Sequence, residues 1–138
     1  MDKKYKIVFL VLVIVQAAHS IEEYIGTLWE VFPPAAALCS LVSNDLESGF
    51  LIINIGFFIL GLFVWWVPVR LEYVVAKYLI WFWIILELVN GVGHTIWALL
   101  NTSYKTGLIT APFLFMIALY SGILMKRLSD DDKAHFAE

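Results

Sequence analysis

From Gly49 to Val67 the sequence reads GFLIINIGFFILGLFVWWV, without one charged side chain. As a helix, such a run crosses the roughly 30 Å hydrocarbon core of a bilayer. Inside that core each backbone N–H and C=O must find its partner within the protein, so only α-helices and closed barrels span. Three further apolar runs, Ile7–Leu28, Glu72–Leu100 and Leu108–Met125, are long enough to do the same. The chain is expected to be all-α, an integral membrane bundle of four transmembrane helices over residues 1–128. The helices are placed at about 7–28, 49–67, 72–100 and 108–125, with Val31-Phe32-Pro33-Pro34 ending the first and Pro68 the second. Asn44-Asp45-Leu46-Glu47 resembles a capping box for the second. Residues 129–138 form a polar tail.

Composition agrees with this class: 62% of residues are hydrophobic and 15% charged, against about 25% charged in soluble domains. The single cysteine, Cys39, excludes an intrachain disulfide and argues against a cysteine-based metal site. No phosphate-binding loop, nucleophile elbow or basic patch suited to nucleic acid is present. Lys3, Lys4, Lys6, Arg70, Lys77, Lys126, Arg127 and Lys133 fall on one side of a four-span arrangement, and only Lys105 on the other. That asymmetry predicts both termini in the cytoplasm, an N-in/C-in multi-pass protein of the cell membrane. The Lys-rich start and Ala18-His19-Ser20 also fit a secretory signal. Apolar character continues through Ile21, Ile25, Leu28 and Trp29, which favours a retained helix.

Polar residues interrupt two of the apolar runs. On a helix, positions three and four apart share a face. His19, Glu22 and Glu23 therefore project together, with Gln16 one turn below. Glu87, Asn90 and His94 form a second stripe on the third run. Counted from the inner boundary, His19 lies at about 18 Å and Glu23 at about 24 Å, with Asn90 and His94 at matching depths. The two stripes are expected to meet between the first and third spanning helices.

Three readings of that meeting point stay open. In the first, His19, Glu23 and His94 bind a divalent metal, as imidazoles and carboxylates at helical spacing do. Glu22 then acts as general acid/base, and Asn90 and Glu87 orient ligands or substrate. Glu87 is about 10.5 Å along the axis from His94, too far for both to hold one ion. Such a site would make the protein a metal-dependent membrane enzyme acting on an apolar, lipid-like substrate that enters from the membrane lipids. Zinc fits hydrolysis and is favoured; iron fits oxidation, although the two Glu-x-x-His pairs of a dinuclear carboxylate bundle are lacking. The second reading is a proton or metal-ion conduit, for which four short helices leave little room without homo-oligomerisation. The third is an accessory subunit in which the polar pairs join helices.

His19-Ser20-Ile21-Glu22-Glu23 and Asn90-Gly91-Val92-Gly93-His94 resemble two motifs of a family of small bacterial membrane proteins named for its H-x-x-E-E motif. Its third motif, Y-x-P-G, is similar to Tyr104-Lys105-Thr106-Gly107, with Thr106 in place of the proline. The resemblance implies a bacterial plasma membrane protein and adds Tyr104 and Gly107 to the site residues. It implies no reaction, because the family's biochemical function is uncharacterised.

Overall fold

A computed structural model describes residues 3–101 and 106–135. It is helical throughout its regular elements: α1 (Lys3–Ile25), α2 (Leu28–Val31), α3 (Pro33–Ser40), α4 (Leu46–Val64), α5 (Val75–Asn101) and α6 (Ala111–His135). A π-helical turn, Trp65–Val69, continues α4. Four segments are long and apolar enough to cross a membrane: Lys3–Ile25, Leu46–Val69, Val75–Leu100 and Ala111–Leu128.

The element ends have local causes. Gly26 and Thr27, the latter at φ 47°, break α1 three residues before the expected Leu28. The Pro-Pro segment, expected as a loop, starts a helix instead. Pro33 and Pro34 occupy the first turn of α3, where a missing N–H costs nothing. The expected capping signal before α4 resolves to Asp45, whose carboxylate accepts from Ser48 N at 3.0 Å and is held below the usual carboxylate range by the Ser48 hydroxyl and backbone N–H. Pro68 does not stop the second span. The π turn absorbs it, with Arg70 N donating five residues back to Trp65 O at 3.1 Å. The last helix runs on through the expected tail to His135.

The half of the bundle near the Lys-rich helix ends is packed solid. Phe9, Leu12, Val13, Val64, Ile80, Trp83, Ile84, Leu114 and Ala118 are all buried there. The Trp83 ring meets Phe9 and Phe57 edge-on, at centroid distances of 6.0 and 5.7 Å. Between helices in lipid, such contacts stabilise through van der Waals fit rather than escape from water. Small residues permit the fit: a Cβ on Gly91 would stand 2.9 Å from Phe115 Cβ on α6. The outward faces carry Ile14, Ile59, Phe63, Val74, Tyr78 and Leu99, all exposed. An apolar surface that broad is fit for hydrocarbon.

In the other half the helices part. α5 packs on α6, and α1 on both α4 and α6, but the backbones of α4 and α5 stay apart, bridged by side chains such as Phe57 and Trp83. The short α3 lies against α4 and covers the top of the gap.

Candidate metal centre

Two positions on α1 and one on α5 bring their side chains together beside that gap. Glu23 Oε1 lies 2.8 Å from His94 Nε2 and 3.3 Å from His19 Nε2. The two imidazoles meet edge-to-face, with centroids 4.8 Å apart. All three residues are buried, and His19 is wholly so. Each offers one ligand atom, and the three atoms lie within 4.8 Å of one another.

The hydrogen bonds around His19 determine which nitrogen it presents. Glu22 Oε2 accepts from the Thr110 hydroxyl at 2.6 Å and from Thr110 N at 2.9 Å, while Glu22 Oε1 accepts from Ile109 N at 3.0 Å. With its only proton given to Glu22, Thr110 Oγ1 is an acceptor toward His19 Nδ1, 2.7 Å away. His19 therefore carries a proton on Nδ1, and its Nε2 faces Glu23 Oε1 at 3.3 Å. Nε2 has no hydrogen-bond partner among the described residues. Metal-ligating histidines are oriented in this way by an acceptor on their other nitrogen. The donor set, two imidazoles and a carboxylate, each imidazole with a buried nitrogen lacking a hydrogen-bond partner among the described residues, fits a divalent metal.

Two residues of the loop before α6 complete the enclosure. Gly107, at φ 85°, passes so close that a Cβ there would stand 2.5 Å from His94 Cε1 and 2.9 Å from His19 Cε1. Only glycine meets both the positive φ and the approach. Thr106 Oγ1 donates to Glu22 O at 2.9 Å and packs on Gly26.

The remaining polar residues spread along the gap. It encloses a cavity of about 310 Å3, onto which Gln16, Glu23, Glu87, Asn90 and His94 face among apolar neighbours. Glu87 is 1% exposed, and neither of its oxygens has a hydrogen-bond partner among the described residues. Asn90 stands one turn on along α5, beside Glu87 on the same wall. Of the residues singled out from sequence, His19, Glu23 and His94 converge and Gly107 closes over them. Glu22 anchors the turn into α6, Gln16, Asn90 and Glu87 stand on the cavity wall, and Tyr104 lies outside the described residues. Sequence reasoning missed Thr110, whose signal was a lone hydroxyl ahead of Ala111-Pro112 at the start of the last span. It also missed Ser20 and Asn54, hydrogen-bonded across α1 and α4 at 2.7 Å; Asn54 is the single polar side chain in the run from Gly49 to Val67.

The model of the family described as proteins of unknown function with the HXXEE motif matches residues 10–121, and the chain belongs to that family. No curated protein and no solved structure matches it.

Proposed function

We propose that this member of the HXXEE-motif family is a metal-dependent membrane enzyme whose lipid-like substrate enters sideways between α4 and α5. The observation that carries this reading is the convergence of His19 Nε2, His94 Nε2 and Glu23 Oε1 on one buried point beside the cavity. A divalent metal held there supplies Lewis acidity for hydrolysis if it is zinc, the favoured case, and redox chemistry if it is iron.

The chain's own residues divide the remaining work. Glu22 and Thr110 engage His19 through Nδ1 and so turn its Nε2 toward Glu23 and His94. Because the Glu22 carboxylate already accepts from two backbone N–H groups and a hydroxyl, its role is positioning rather than proton transfer. Glu87 is the cavity carboxylate without a hydrogen bond among the described residues, and so the one free to engage substrate. Several wall residues, Pro34, Leu38 and Val89 among them, are themselves exposed, so the cavity opens at the molecular surface where acyl chains lie.

The conduit reading asks for a polar path through the other half of the bundle. There, the buried described residues include no ionisable side chain, and Phe9, Leu12, Trp83, Ile84 and Leu114 fill the axis. That favours a closed site over a passage.

Elemental analysis tests the reading. Purified protein is expected to carry a transition metal in stoichiometric amount, and His19→Ala, His94→Ala and Glu23→Ala are each expected to lose it. A metal-free wild type, or variants with undiminished metal, overturns it.

A further inference from the structure

The cavity wall beside the centre presents hydrogen-bond acceptors with nothing to accept. Both Glu87 oxygens and Gln16 Oε1 are buried and without partners among the described residues. The Gln16 oxygen is left over for a traceable reason. Phe50 O can only accept, so Asn54 turns its amide nitrogen to it at 3.0 Å. Asn54 Oδ1 then takes the single proton of the Ser20 hydroxyl at 2.7 Å, and Ser20 Oγ must in turn accept from Gln16 Nε2 at 3.0 Å. A donor at each step of this chain is spent on its neighbour, and the unanswered atom at its end is an oxygen.

No Lys or Arg lines the cavity, and the rest of its wall includes Leu38, Phe50, Ile53, Phe57 and Leu86. Its volume, about 310 Å3, falls in the range of small-ligand sites, roughly 300–1,000 Å3. The buried polar atoms left unpartnered at this end, both Glu87 oxygens and Gln16 Oε1, favour a head that donates. A phosphate head would add acceptors and negative charge against Glu87, and no Lys or Arg on the wall is there to receive it. An ammonium brings three N–H donors together with the countercharge that a carboxylate away from water requires. We infer that the cavity binds a long-chain primary amine, an aminolipid with no phosphate beside its nitrogen. Its head sits on Glu87 and Gln16, and its chain leaves between α4 and α5. This rests on the cavity being the substrate site proposed above, and it names the substrate class.

The test uses the full chain in phosphatidylcholine nanodiscs, stripped of metal with a chelator, so that amine binding is read apart from the metal centre. Dodecylammonium, dodecanol and dodecyl phosphate are titrated against the thermal unfolding midpoint. Dodecylammonium is expected to raise the midpoint saturably, while the alcohol and the phosphate do not. Glu87→Gln is expected to weaken the apparent affinity by about tenfold or more, the scale of a lost charge-assisted hydrogen bond, and Gln16→Leu to weaken it less. The ligand-free midpoint of each variant reports whether it folds. Equal shifts from dodecanol, or a dodecylammonium shift unchanged in both variants, overturn the inference and leave the metal reading standing. Selective amine binding supports it whatever the metal analysis shows.

Discussion

Glu22 and Glu23 are neighbours in the chain, yet their carboxylates serve different helices. Glu23 reaches His94 of α5 at 2.8 Å, and Glu22 holds the turn into α6 through Ile109 and Thr110. The H-x-x-E-E motif is thus two devices in one turn of helix: His19 and Glu23 converge with His94, and Glu22 with Thr110 orients His19.

That division predicts a graded response. Glu22→Gln and Thr110→Val remove the acceptor chain behind His19 without removing a ligand. Each is expected to weaken metal binding by about 10–100-fold, the usual cost of losing a partner behind a ligating histidine. His19→Ala should abolish binding instead. Competition against a chelator of known affinity measures this; affinities within twofold of wild type count against the orienting role.

Gly107 and Gly93 offer a matched pair. Gly107→Ala meets both a positive φ and the two imidazoles, so it is expected to destabilise the fold by about 1–3 kcal/mol and to displace His94 from the centre. Gly93 lies inside α5 with open space around the position of a Cβ. Gly93→Ala is therefore expected to be neutral or to stabilise by about 0.5–1 kcal/mol. Unfolding midpoints in detergent decide this, and the idea fails if the two substitutions behave alike.

Glu87 separates a working carboxylate from helix glue. A buried polar group without a partner costs about 1–3 kcal/mol. Glu87→Leu should then leave the resting protein as stable or raise its unfolding midpoint, while removing amine binding. Glu23→Leu strands two histidines that now share its oxygen and should lower the midpoint. If Glu87→Leu destabilises as much as Glu23→Leu does, Glu87 has a structural partner after all.

Much of this was legible in the chain. Hydrophobic length marked four spans, and helical spacing with matched depth brought Glu23 opposite His94. Periodicity reports which residues share a face, however, and not which neighbour that face meets. It could therefore single out Glu22 but not the backbone amides of Ile109 and Thr110, 87 and 88 positions away. Pro33 and Pro34 signal the end of the first helix in the sequence, although prolines at a first helical turn equally mark a start. The continuation past Pro68 depends on a π turn, which five residues of sequence do not announce.

Orientation in the membrane is the remaining expectation, and the fold sharpens it. Lys3, Lys4 and Lys6 open α1, Arg70 ends the π turn, Lys77 opens α5, and Lys126 and Arg127 fall late in α6. Contacts draw several of them to one end: Lys6 Nζ bonds Glu72 at 2.7 Å, Lys4 lies over Tyr120, and Arg70 stacks on Trp66 at 4.3 Å. Clustered basic residues are retained on the cytoplasmic side, so the packed half of the bundle is expected to lie inward and the His19, Glu23 and His94 cluster in the outer half. Single cysteines introduced in a Cys39→Ala background read this out. One at Ser129 should react with a membrane-impermeant maleimide only after permeabilisation, and one at Ser103 should react in intact cells. The reverse pattern would place the cavity and its centre nearer the cytoplasmic face and require the substrate to arrive from the inner leaflet.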